Sequence, residues 1–287
     1  LGSERSSLIT ISTFHSLGLN ILKEESVALG LGRNFTLFDQ YDSFKLIKDI
    51  VREKFPQILV DNSEKTVVEE IATDISTWKT SLLRPEDIAV RTIRVQVYEA
   101  YQAYLSACNA ADFEDLIFKT TLLLRDNQAV RDKWSSYYKY ILVDEYQDTN
   151  ETQYQLLKYL TSKNKRFTVV GDDDQSIYAW RGARPENIKV LSNDFPDLKV
   201  IKLEQNYRST QHILNCANKL ISNNEHIFNK TLYTKSNVGK KVQIMELRTQ
   251  NDEADRVVQL ILAHQFRTHS QWKEYAVLYR SNSQSRP

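Results

Sequence analysis

An apolar run, Tyr140 to Val143, ends abruptly in Asp144-Glu145-Tyr146-Gln147-Asp148. A buried strand that delivers two adjacent carboxylates to its carboxyl end suits a nucleotidase. Asp144 would hold Mg²⁺, directly or through water, and Glu145 would orient or deprotonate the attacking water. The competing reading is a strand that ends in a solvated acidic turn. The same pattern recurs downstream, which favours the first reading. Arg166 to Val170 runs into Gly171-Asp172-Asp173-Asp174-Gln175-Ser176-Ile177-Tyr178-Ala179-Trp180-Arg181-Gly182, and Lys199 to Leu203 leads into Glu204-Gln205-Asn206-Tyr207-Arg208-Ser209-Thr210.

Elements that could position these clusters are legible around them. Helical patterns over Thr152 to Leu160 and Pro185 to Asn193 alternate with the strands, which predicts βαβ units and a parallel sheet. In such a sheet the ligand crevice lies at the carboxyl ends of the strands, where all three polar clusters fall or lie close by. Leu8 to about Gly32 reads as one strand and one helix, and further strands are expected at Val242 to Leu247 and Tyr275 to Arg280, whereas between residues 34 and 111 no strand is evident and helical periodicity dominates. Val67, Ile71, Ile75 and Trp78 form one apolar stripe, and Val90, Ile93, Val97, Tyr101 and Tyr104 another, both expected to pack.

Composition bounds the class. The 287 residues leave room for about two domains, and 41% hydrophobic residues suffice for real cores. The formal net charge of +1 neither supports nor excludes a nucleic-acid partner. Cys108 and Cys216 have no partner at zinc or redox spacing, so both are expected to be reduced thiols on separate helices. No apolar run approaches membrane-spanning length and residues 1–7 lack the apolar core of a signal peptide, so a cytoplasmic location with no membrane partner is expected.

Taken together, Asp-Glu-x-Gln-Asp, then Val-Val-Gly-Asp-x-Asp-Gln-Ser-Ile-Tyr-x-Trp-Arg-Gly-Ala, then Leu-x-x-Asn-Tyr-Arg-Ser resemble the superfamily-one DNA helicases of the UvrD, PcrA and Rep kind. The stretch Ile11 to Gly18 is similar to their Thr-Phe-His motif, and Tyr275 to Asn282 to their Ala-Val-Leu-x-Arg-x-Asn strand. The resemblance covers nearly the whole chain. It implies an α/β fold of RecA-like, P-loop NTPase parallel-sheet domains with a helical insertion. Residues 1–32 would be part of the first RecA-like domain, 33–111 the insertion, 112–203 the remainder of the first domain, and 204–287 the start of the second. Asp112-Phe113-Glu114-Asp115-Leu116 looks like the family's return from the insertion.

The resemblance also implies roles. ATP and Mg²⁺ are the expected cofactors, with Asp144 on the metal, Glu145 on the water, and Gln147 and Asp148 organising the site rather than reacting. Gln175 would sense the γ-phosphate, Arg208 would serve as an arginine finger from the second domain, and Tyr207 would stack on adenine. The track would be single-stranded DNA, with single/double-strand junctions and replication or repair proteins as further partners. Tyr178 and Trp180, two residues apart, would point the same way from an extended loop and hold a base beside Arg181, in a stacking mode that tolerates any sequence. Phe14 and His15 would add strand contacts, His15 through a phosphate or sugar. Direction, 3′ to 5′, follows from the family alone.

None of the seven glycines opens a Gly-x-x-x-x-Gly-Lys-Ser/Thr loop, which the family carries upstream of its Thr-Phe-His motif. The expectation is therefore an internal fragment with both RecA-like domains incomplete, inactive in ATP hydrolysis by itself, and prone to dimerise artefactually through exposed sheet edges. Two other classes compete: the motor part of a helicase–nuclease repair subunit, and a non-catalytic DNA-binding module.

Overall fold

The computed structural model describes residues 9–32, 34–59 and 63–285; the side chain of Arg181 lies outside what it describes. The chain divides into two units, Leu1–Ile201 with Asn224–Asn229, and Lys202–Asn223 with Lys230–Pro287.

The first unit opens with α1 (Phe14–Glu24), whose N-cap Thr13 accepts a hydrogen bond from the Ser16 N–H through its hydroxyl. The strand expected before it begins at Leu8, outside the described residues, and residues 9–13 are not a strand. After β1 (Thr36–Phe38) come α2 (Gln40–Lys54), α3 (Glu64–Thr80) and α4 (Ile93–Ala107). A capping box between Asp39 and Asp42 starts α2, and the Thr92 hydroxyl caps α4. The three helices enclose one core, with Ile47, Ile50 and Val51 facing Val67, Ile71 and Ile75, closed by Val97, Tyr98 and Tyr101. Burying each such aliphatic side chain stabilises by about 1.5–3 kcal/mol. Val90, assigned to the second stripe, precedes α4 and is exposed.

The absence of strands expected between 34 and 111 is corrected here. Thr36–Phe38 pairs in parallel with β2 (Ala110–Asp112), in the register Thr36 to Ala110 and Phe38 to Asp112. Three-residue strands offer too few positions for an alternation to show in sequence. From β2 the chain enters α5 (Asp115–Asp126) and α6 (Gln128–Tyr137), then β3 (Ile141–Val143), α7 (Glu151–Leu160), β4 (Phe167–Val169) and α8 (Asn187–Asp194). Close approach of α1 and α5 needs Gly18, since a Cβ there would lie 2.1 Å from the Leu116 carbonyl oxygen. β3 and β4 form a second parallel pair, Ile141 to Phe167 and Val143 to Val169.

A buried ionic cluster joins α3 to this part of the unit. Lys79 Nζ lies 2.8 Å from Asp115 Oδ1 and also contacts Asp112, whose Oδ2 accepts from the Tyr101 hydroxyl. The Lys79 carbonyl accepts from the Thr152 hydroxyl of α7 at 2.6 Å. Burial alone would pull the ammonium down, but Asp112 and Asp115 outweigh it and hold Lys79 above its ordinary value. Burial likewise pushes the Asp115 carboxyl up, yet Lys79 and Lys119 hold it below the ordinary carboxylate range. Replacing Lys79 by Met leaves the buried Asp112 carboxylate without its cation, while Asp115 keeps Lys119 at 3.1 Å, so urea unfolding should show a loss of about 3–5 kcal/mol; an unchanged midpoint would sink this account. The Asp115 contribution is present above its unfolded-state pKa and lost as pH falls through the lower folded value, so wild-type stability declines on acidification.

The second unit contains α9 (Gln211–Ile221) and α10 (Gln250–Thr268), with an isolated parallel bridge between Gln205 and Tyr233. Asn218 ties α9 to the following segment, donating to the Leu232 carbonyl and accepting from its N–H. The strands expected at 199–203, 242–247 and 275–280 do not form. Strand propensity is realised only where a neighbour completes the ladder, and no described residue does so for these segments; Ile244 and Leu278 are accordingly 95% and 94% exposed. Cys108 lies just past the end of α4, not on a helix as expected, while Cys216 is on α9; both are free. Among the described residues no helix is long and apolar enough to cross a membrane.

Candidate nucleotide and strand-binding site

Two loops leave the same edge of the β3–β4 pair, because the strands are parallel and adjacent. Ladder bonding continues past the strands through Val170 N to Val143 O at 2.8 Å and Tyr146 N to Val170 O at 2.9 Å. Val143 and Tyr146 are buried, whereas Asp144 and Glu145 between them are exposed. The apolar residues anchor the strand end, and both carboxylates are left facing solvent.

Glu145 adopts a left-handed backbone, φ 51 and ψ 43, which few non-glycine residues do. Its N–H donates to Asp144 Oδ1 at 3.0 Å, and its carbonyl accepts from the Asp148 N–H at 3.0 Å. Gln147 Nε2 donates to Glu145 Oε2 at 2.8 Å. Burial, and then the negative charge of Glu145, pushes the Asp148 carboxyl up. An exposed carboxylate at a strand end, with hard oxygen donors only, is a donor set that fits Mg²⁺. Beyond the turn, Asn150 and Gln153 form a capping box that starts α7.

The second loop is held against the first. Asp172 N–H donates to Gln147 Oε1 at 3.0 Å, and the Ser176 hydroxyl donates to the Gln147 carbonyl at 3.3 Å. Gln175 is exposed, and its Nε2 donates to Asp172 Oδ2 at 2.8 Å. Asp173 Oδ2 accepts from the Ile227 N–H at 2.9 Å, while Asp174 Oδ1 lies 3.0 Å from His226 Nδ1. At its far end the loop returns to the first, with Arg184 N–H and Asn187 Nδ2 both donating to the Thr149 carbonyl.

Tyr178 and Trp180 both sit on the surface of this unit, 39% and 74% exposed, with ring centroids 6.5 Å apart and planes inclined by 48°. Ala179–Arg181 is a 3-10 turn, not the extended segment expected, and this turn brings the rings near one another at an angle. The Arg181 side chain lies outside the described residues. Phe14 is half-buried and packs against two buried clusters. His15 stacks on Phe113 with centroids 4.0 Å apart, and burial lowers its pKa from the ordinary histidine value.

In the second unit, Asn206 Oδ1 accepts from the N–H groups of both Arg208 and Ser209, at 2.9 and 2.8 Å. This Asx arrangement fixes the loop before Thr210, the N-cap of α9. Tyr207 is 85% exposed, Arg208 is exposed, and no carboxylate among the described residues forms an ion pair with Arg208.

The structure thus brings Asp144, Glu145 and Gln175 to neighbouring loops at one sheet edge, and places Tyr178 and Trp180 further along the second loop. Tyr207 and Arg208 stand together in the other unit. The sequence marked Gln147 as an organiser of the site but not as the link between the two loops, and it did not mark Phe113 as the exposed partner of His15. The spacing Asp-Glu-x-Gln-Asp was the available signal for Gln147; none marked Phe113.

Residues 1–196 match the UvrD/REP helicase N-terminal domain family, and residues 201–287 the UvrD-like helicase C-terminal domain family. The chain is 47% identical over 292 aligned residues to the ATP-dependent DNA helicase Rep of Escherichia coli (strain K12), covering 100% of this chain and 42% of that protein. It is 46% identical to the Rep helicase of Salmonella typhimurium, again over 100% of this chain and 42% of the relative. To the ATP-dependent DNA helicase PcrA of Staphylococcus epidermidis it is 41% identical, over 100% of this chain and 39% of that protein. The chain therefore spans about two-fifths of the length of these relatives.

Proposed function

The chain belongs to the UvrD/Rep helicase family, and from that premise we propose that it forms the central part of an ATP-dependent DNA helicase of the Rep type. The observation that carries this reading is the junction of two loops at one sheet edge: exposed Asp144 and Glu145 on one, Gln175, Tyr178 and Trp180 on the other.

Asp144 would hold Mg²⁺, which supplies charge neutralisation at the phosphates when bound. Glu145 orients and deprotonates the attacking water, and Gln175 reads the γ-phosphate from the second loop. Arg208 stabilises charge on the transferred phosphoryl group, and Tyr207 stacks on adenine. Phosphoryl transfer needs positioning and charge stabilisation more than covalent chemistry, and these groups provide both. Tyr178 and Trp180 stack on bases of a single strand, with Arg181 and His15 adding contacts. Phe14 is the weaker member of this set, since its ring already packs in the interior. Translocation runs 3′ to 5′, in the cytoplasm, alongside replication or repair proteins. By itself the chain hydrolyses ATP poorly, because its 287 residues contain no phosphate-cradling Gly-x-x-x-x-Gly-Lys loop.

The test is ATP hydrolysis by the full-length protein, titrated with single-stranded DNA, for wild type and Trp180→Ala. Wild type should be strongly stimulated whatever the DNA sequence. Trp180→Ala should need about 5–150-fold more DNA for half-stimulation, the loss of one stacked base worth about 1–3 kcal/mol. A wild-type rate indifferent to DNA would leave a binding module in place of a motor.

A further inference from the structure

Gln147 has no part in the chemistry assigned above, yet its side chain is engaged at both ends. It is 1% exposed. Its Nε2 donates to Glu145 Oε2 at 2.8 Å, with Asp148 Oδ2 at 3.5 Å, and its Oε1 accepts from the Asp172 N–H at 3.0 Å. Reversing the amide would set oxygen against carboxylate and NH₂ against N–H, so the neighbours fix its orientation. The ladder between the two strands stops at Tyr146 N to Val170 O, and beyond that point Gln147 carries the connection.

Spacing between the loops is tight around this residue. A Cβ on Gly171 would lie 2.9 Å from Gln147 Oε1 and 3.2 Å from its main-chain nitrogen. On the other side, Glu145 has a left-handed backbone that persists only where its surroundings hold it. The Asp144 side chain and the Asp148 N–H hold the main chain of Glu145, and Gln147 holds its carboxylate.

We propose that Gln147 is a positioning residue that ties the Glu145 carboxylate to the backbone of the Asp172 loop, so that displacement of that loop by a DNA strand stacked on Tyr178 and Trp180 re-aims the carboxylate. Gln147 acts through Glu145 and is not itself a reacting group. The inference rests on the reading of Glu145 and of the two aromatics given above. It supplies a physical link, one side chain bonded to both loops, for coupling between strand and nucleotide.

The experiment is a double-mutant cycle in the full-length protein, comparing wild type, Gln147→Met, Glu145→Gln and the double variant by single-turnover ATP hydrolysis with and without single-stranded DNA. Gln147→Met, similar in length but without hydrogen bonds, should lower DNA stimulation about tenfold, the scale of one hydrogen bond to a charged group. In the Glu145→Gln background it should change nothing further, because its effect passes through the carboxylate. An equal factor in both backgrounds, or undiminished stimulation in Gln147→Met, overturns the proposal while the motor reading stands. A wild type without stimulation overturns the motor reading itself. Should Gln147→Met fail to fold, Gly171→Ala presses on the same amide from the other loop and must also lower stimulation; full stimulation there overturns the proposal.

Discussion

Arg208→Ala should lower the DNA-stimulated rate of ATP hydrolysis in the full-length protein by about 10³–10⁵, the range over which arginine fingers act. The proposed role is compatible with the local structure: Asn206 fixes the main chain on both sides of the Arg208 carbonyl, and the side chain is exposed with no ion-pair partner among the described residues. An arginine serving only as a surface salt-bridge partner would contribute about 0–1 kcal/mol to stability and nothing to turnover. Arg208→Lys should not restore the rate, because an ammonium lacks the planar fork that matches phosphoryl oxygens. Single-turnover kinetics at saturating ATP separate this loss from weakened binding, and a rate within a factor of a few of wild type would remove Arg208 from the site.

Glu145→Gln should cost about 10²–10⁴ in the chemical step, the range for a general base, while nucleotide and single-stranded DNA still bind. The substitution keeps the shape, and the new amide oxygen can still accept from Gln147 Nε2, 2.8 Å from the present carboxylate oxygen. What it removes is the negative charge and the basic site. Retained hydrolysis in Glu145→Gln, with ATP bound normally, would assign the water to another group.

Different features of the chain were legible to different degrees. Asp144 and Glu145 could be placed at a strand end because Tyr140 to Val143 is apolar and the next residues are acidic, a contrast that needs no partner to be read. The helices α3 and α4 were equally open, since Val67, Ile71 and Ile75, and Val97 and Tyr101, recur at helical spacing and do meet in one core. The β1–β2 pair was missed because its three-residue strands lie 74 positions apart, from Thr36 to Ala110, and their pairing is a long-range event. Strands expected at 242–247 and 275–280 failed for the converse reason: Val, Ile and Tyr favour strands, but a strand exists only with a neighbour.

By itself, the sequence determined the chemical inventory: which residues carry carboxylate, amide, guanidinium and aromatic groups, and which apolar runs bring them to loop positions. Tertiary structure alone decided how those groups bear on one another. It set Glu145 in a left-handed backbone, bridged it through Gln147 to Asp172, inclined Tyr178 against Trp180 over a 3-10 turn, stacked His15 on Phe113, and buried Lys79 between Asp112 and Asp115. Residue type and local periodicity are properties of neighbours along the chain, whereas a hydrogen bond or ring contact between loops depends on distances that exist only once strands have paired and helices have packed.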